Sequence, residues 1–142
     1  MDDENNNDPK DPKDPEDQKK EEENDSSIFL SFIFLDNNRK KSKESVFRAR
    51  ELLNHYCNTE DEDGVIESYI LPLVAQYYTS LRGYITFIDS LIRDDNLFVD
   101  DASGAKRVRI KEVEIQSMRM FMTSINICEL EMMDLGISVK IH

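Results

Sequence analysis

The chain is short of the residues on which most site chemistry depends. It holds four glycines, two cysteines and two histidines in 142 residues. Four scattered glycines build no glycine-rich phosphate loop. Cys57 and Cys128 lie far apart with no CxxC partner, so they read as reduced, semi-buried apolar side chains rather than a disulfide or a zinc site. Of the two imidazoles, His142 is the last residue given, and a terminal side chain is not held within the tolerance catalysis needs. Asp89, Asp94, Asp95, Asp100 and Asp101 sit mostly at loop edges, where solvated carboxylates belong, and the acidic runs lack a calcium-loop pattern. No catalytic residue, cofactor or metal is expected. Long apolar runs are also missing. The most apolar segment, Ser26 to Leu35, is about half a membrane span and reads as a buried strand or an interface segment, so no membrane association is expected.

What the chain does have is acid, unevenly spread. The net charge is −12. Met1 to Asp25 carry twelve acidic and four basic side chains, three of the four prolines and one apolar residue, Met1. That leaves about −4 for the remainder. Such a segment buries too little surface to offset its ordering entropy, so residues 1–25 are expected to form a disordered acidic tail. Its acidic start has the wrong polarity for a secretory signal, and a cytoplasmic or nuclear location is expected.

Further along, the pattern becomes structural. Asp36-Asn37-Asn38 reads as a stop, and Arg39 to Lys43 as a solvated basic loop. Val46, Ala49, Leu52 and Leu53 have helical spacing, giving a helix from Ser42 or Ser45 to about Asn54. Asn58 to Gly64 reads as a polar linker, which places a boundary between a 26–63 segment and a 64–142 domain. Leu73, Val74, Tyr77, Tyr78 and Leu81 form one stripe of an amphipathic helix, with Pro72 in its first turn and Gly83 as its C-terminal stop. A second short helix follows through Ile85, Ile88, Leu91 and Ile92, then a strand at Asn96–Val99 and a loop at Asp100–Gly104. Val108 to Met118 fits a strand or a helix. Ile125 and Ile127 alternate before the phase slips at Glu129-Leu130, as in a bulged strand. Met133 to Gly136 reads as a turn, and Ile137, Val139 and Ile141 alternate as a final strand.

Leu73-Val74-Ala75-Gln76-Tyr77-Tyr78-Thr79-Ser80-Leu81 resembles the Phe-Val-x-Gln-Tyr-Tyr-x-x-Leu helix of nuclear transport factor 2-like domains, as in stress-granule scaffold proteins and their plant relatives. Gly136 to Ile141 is similar to that family's Gly-Val-x-Val-x-Val strand. The likeness covers about Gly64 to His142. Ile70 stands where the family has a glycine, Ile92 where it has an aromatic residue, and two further family strands have no counterpart here. The resemblance implies an α+β fold, with helices packed on a curved, cone-like but incomplete antiparallel sheet. It also implies a non-enzymatic protein-binding module, one that dimerises or captures short Phe-containing peptides in nucleocytoplasmic transport or ribonucleoprotein assembly. A helical adaptor unrelated to that family and a small enzyme of the same fold are the alternatives. The bare sheet edge is expected to pair with Ile28–Leu35, within the chain or in a homodimer.

Candidate partner-binding residues are therefore Tyr77, Tyr78, Phe98, Met120 and Met122. The methionines Met118, Met120, Met122, Met132 and Met133 read as adaptable core filler, with a methionine-lined peptide groove as the sharper reading. Lys106, Arg107 and Arg109 form the interior basic cluster that suits phosphate contact, although the acidity of the whole chain argues against direct nucleic-acid binding.

Overall fold

A computed structural model describes residues 27–100 and 102–139. The tail expected over residues 1–25 lies outside them. A short strand β1 (Ile28–Ser31) runs directly into a long helix α1 (Phe32–Cys57). Helix α2 (Leu71–Leu91) follows, then β2 (Leu97–Val99), β3 (Lys106–Ile110) and helix α3 (Glu112–Asp134). The fold is α+β: three helices pack against a small, unclosed antiparallel sheet of order β1-β3-β2.

Helix α1 begins well before the expected Ser42. Ser31 supplies its N-cap, the hydroxyl accepting from the Phe34 N–H at 3.4 Å, so Phe32 to Leu35 coil although their composition favours a strand. Asp36-Asn37-Asn38 and the basic run then lie inside the helix. There the charges pair along its surface, with Arg39 to Asp36 at 2.6 Å and Lys40 to Asp36 at 3.2 Å, the i,i+3 and i,i+4 contacts that suit a helix. Arg39 also reaches Asp89 of α2 at 3.2 Å. Leu35, Ser42, Val46, Ala49 and Leu52 form the buried stripe.

Residues 58–65 connect α1 to α2. The boundary expected at 63/64 therefore falls in a loop between two helices that share one hydrophobic core. The Asp61 carboxylate accepts from the backbone N–H groups of Ile66 and Glu67 at 3.0 and 2.9 Å, capping a turn of π-helix over Ile66–Ile70 that leads into α2. Pro72 sits in the first turn, as expected. The stop at Gly83 is a misreading, because α2 continues unbroken to Leu91 and absorbs the second short helix. Gly83 is there for a different reason. A Cβ at this position would lie 2.7 Å from the ring edge of Phe121, so the missing side chain lets α3 approach α2 closely, and Phe121 stacks over the gap against Tyr84 and Phe87.

The 108–118 ambiguity resolves into both readings in succession: strand to Ile110, helix from Glu112. The Glu114 carboxylate accepts from the Lys111 N–H at 2.8 Å and closes the start of α3. The strand expected at Ile125–Leu130 is helix. Met118, Ile125, Cys128 and Met132 are its buried residues, and their spacing of seven, three and four is helical. Helix α3 ends in a Schellman motif, in which Gly136 (φ 78°) donates to the Met133 carbonyl and Ile137 to that of Met132. The final strand is likewise absent over residues 137–139. That segment lies along α1, where the Arg48 guanidinium donates to the Ser138 carbonyl at 2.8 and 3.1 Å, while Ile137 and Val139 are buried. The expected pairing of Gly136–Ile141 with Ile28–Leu35 does not form over the described residues. β1 pairs instead with β3, Ile28 opposite Ile110 and Ser31 opposite Arg107.

Gly83→Ala should gain about 1 kcal/mol of helix propensity but lose about 1–3 kcal/mol to overpacking against Phe121. Urea unfolding should show a destabilised single variant. In a Phe121→Ala background the same substitution should be stabilising. Equal effects in the two backgrounds would mean that Gly83 has no role in helix approach.

Candidate interaction surface

Helix α2 is covered on two flanks, and Gln76, Thr79, Arg82, Thr86 and Asp89 make its exposed polar face. Leu73, Val74, Tyr77, Leu81, Tyr84, Ile88 and Leu91 are its buried residues, and both α1 and α3 pack against it. The two candidate tyrosines part company here. Tyr77 is fully buried, and its hydroxyl donates to the Glu129 carboxylate of α3 at 2.9 Å. Burial pushes its pKa up, and the neighbouring Glu129 carboxylate adds to the rise. Tyr78, half-buried at the edge of the core, accepts from Arg82 at 3.0 Å, and that guanidinium also lies over its ring. The bond from Arg82, and then that from Arg50, lowers the Tyr78 pKa. Tyr77 is thus a core residue and Tyr78 a surface cation partner.

The methionines separate in the same way. Met118 and Met132 are core residues, whereas Met120 and Met122 are 72% and 41% exposed. Met120 borders an open groove of about 410 Å³ between α2 and α3, together with Gln76, Gln116, Thr123 and Ile127. Met122 lies toward α1, beside Asn38, Ser42 and Tyr84. No single methionine-lined groove gathers them, and Phe98 lies apart from both on the sheet.

Sequence reasoning missed the outer stripe of α3. Val113, Met120, Ile127 and Leu130 are 68%, 72%, 50% and 60% exposed. With Gln116 and Thr123 they fall at steps of three and four, which is the a/d seam of a coiled coil. The inner stripe runs two positions out of phase and hence on nearly the opposite face. Reading Ile125 and Ile127 as an alternating strand merged the two stripes. The helical count from Met118 to Met132 was the signal that separates them.

The three basic candidates share β3. Val108 and Ile110 point into the core, so Arg107 and Arg109 point outward. Arg109 donates to the Ser27 hydroxyl at 3.2 Å, and the Lys106 ammonium lies 5.7 Å from the Phe32 ring centre. Beyond β2, Asp100 closes the hairpin turn. Its carboxylate accepts from the Ala102 N–H at 2.9 Å, and that bond holds its pKa below the usual carboxylate range.

Among the described residues no group of three or more His, Cys, Asp and Glu side chains is placed to hold a metal ion, and no helix is long and apolar enough to cross a membrane. Cys57 is exposed at the end of α1, contrary to its expected partial burial, and Cys128 is buried in α3.

The buried hydroxyls give a paired test. Tyr77→Phe leaves the half-buried Glu129 without its donor and should cost about 1–2 kcal/mol at pH 7. Tyr84→Phe should be close to neutral, because the buried Tyr84 hydroxyl has no hydrogen-bond partner. Both tyrosines have raised pKa values in the folded chain. Their contribution is therefore complete below the free tyrosine pKa of about 10 and is lost as pH rises above it. Thermal melts should show an alkaline loss of stability above about pH 10 that each Phe variant reduces. A wild type as stable at pH 11 as at pH 8 would contradict this placement of the hydroxyls.

Compared with known proteins, the chain matches no family model, no curated protein and no solved structure.

Proposed function

We propose that this chain is a non-enzymatic protein-binding module whose first partner is a second copy of itself, joined through the outer stripe of α3. The observation that carries the reading is the exposed seam of Val113, Met120, Ile127 and Leu130. A monomer that leaves four large apolar side chains exposed on one stripe, interrupted by Gln116 and Thr123, along a helix of 23 residues, roughly 34 Å long, exposes the kind of patch that marks an interaction site.

The stripe suits a copy of itself. In an antiparallel pairing about a two-fold axis between Phe121 and Met122, Val113 meets Leu130 of the second copy. Gln116 meets Ile127 in the next layer, and Met120 meets Thr123. Each contact is then repeated by symmetry, as an isologous interface requires. Ser117, Ser124 and Asn126, which flank the middle of the seam, carry no charge, and Arg119 falls opposite Ser124 of the second copy. Glu112 meets Glu131 only at the two ends, where solvent screens the pair.

The nuclear transport factor 2-like likeness supports a binding role only through Leu73–Leu81, now on α2. Residues 125–130, a strand in that likeness, lie in a helix, so the proposed dimer uses a helix face and not a sheet edge. Capture of a Phe-containing peptide gets no comparable support, since Tyr77, Phe98, Met120 and Met122 face different surroundings.

Light scattering on the full chain tests the reading. The wild type should run as a dimer, and Met120→Glu and Ile127→Glu should be monomeric with unchanged circular dichroism. A monomeric wild type at about 100 μM, which allows only affinities weaker than roughly 5.5 kcal/mol, would remove self-association. A dimer untouched by both substitutions would move the interface elsewhere.

A further inference from the structure

The outward face of the sheet holds a second pattern that dimerisation through α3 leaves unused. β1 and β2 both pair with β3, Phe29 opposite Arg109 and Phe98 opposite Arg107. The register therefore sets two phenylalanines on either side of two arginines, all pointing away from the core. Phe29 and Phe98 meet across β3 with ring centres 5.4 Å apart, edge to face, and they are 51% and 45% exposed. Exposed Phe on the outer face of so small a sheet does nothing for the core, which takes Leu30, Val108 and Leu97 from the opposite side.

We propose that this face is a binding platform for single-stranded nucleic acid, with the Phe29 and Phe98 rings stacking on bases and Arg107 and Arg109 contacting phosphates. Aromatic rings flanking cations on an open antiparallel sheet offer both parts of a single strand what it needs. The bases are unpaired and present π-faces, and the backbone carries one negative charge per nucleotide. A duplex offers neither accessible base faces nor a shape that fits a sheet of three short strands. The acidity of the chain does not oppose this, because most of the net charge of −12 belongs to residues 1–25, whereas β3 presents Arg107 and Arg109 together on this face. Asp100, next to β2, accepts from the Ala102 N–H and also interacts with the Arg107 charge, so a phosphate on Arg107 competes with this one carboxylate. With two exposed rings, the platform stacks about two bases. It does not depend on the α3 interface.

Fluorescence anisotropy of the full chain with a labelled oligouridylate and an oligothymidylate of about ten nucleotides tests the proposal. Both single strands should bind at low salt, and a duplex of the same length should bind at least about tenfold more weakly. Phe98→Ala and the milder Phe98→Leu should each weaken binding about fivefold or more without changing the salt slope. Arg107→Gln should instead flatten the slope of log affinity against log salt by about 0.7, one phosphate contact on a single strand. Ile127→Glu should bind as the wild type does. Circular dichroism confirms that each variant is folded. If Phe98→Ala does not fold, Phe98→Leu and Arg107→Gln decide. Absence of binding at 50 mM salt overturns the proposal, as does binding indifferent to Phe98. So does displacement of the oligonucleotide by polyglutamate equally from wild type and Phe98→Leu, which would make the face a generic anion patch for acidic proteins.

Discussion

The close packing of α2 between two other helices is the constraint on which the rest of the structure depends. Seven buried side chains of α2 meet α1 and α3, and fully burying side chains of this size contributes about 1.5–3 kcal/mol each. Tyr77 fills the centre of that contact, and its one polar atom is answered by Glu129. Gly83 sets the separation on the α3 side, because the Phe121 ring occupies the space a side chain would need. With α1 and α3 held on the flanks of α2, β1 and β3 are brought to one end and pair there, and the last described residues lie along α1. The small sheet follows from the helices, not the reverse.

That dependence explains what the residues revealed directly and what they concealed. The stripe from Leu73 to Leu81 was legible because burial at helical spacing is a local signal. Pro72, the strand at Asn96–Val99 and the loop after it were legible for the same reason. Gly83 was not, since a glycine that ends a helix and one that admits a neighbouring ring look the same in one dimension. Ile125 and Ile127 misled because β-branched residues two apart satisfy a strand, and only the packing of Met118, Ile125, Cys128 and Met132 against α2 selects the helix. Phe32 to Leu35 and Asp36-Asn37-Asn38 were read by propensity, which tertiary contacts overrode once Ser31 capped the helix and Leu35 found the core.

The candidate surfaces were legible in parts. Arg107 and Arg109 stood out as basic residues, and Phe98 as an aromatic one. Their placement with Phe29 depends on the pairing of β1 with β3, which links positions about 80 residues apart and leaves no trace in local spacing. Met120 and Met122 looked like one pair, yet the turn of the helix sends them to different grooves. The outer seam of α3 was present in the sequence as a repeat of seven, hidden behind the inner repeat that shares its period.

The central claim is that α3 has two working faces, one turned to α2 and one turned to a second copy. Intermolecular disulfide trapping tests it most directly, with Cys57 replaced by serine and single cysteines placed on the outer seam. Thr123 lies next to the proposed two-fold axis, whereas Val113 and its symmetry mate stand about 26 Å apart along the helix, beyond the reach of a disulfide. Thr123→Cys should therefore trap a dimer rapidly under mild oxidation, and Val113→Cys should not. Equal trapping at both positions would mean a parallel arrangement, and trapping at neither would mean that the outer face of α3 does not meet a copy of itself.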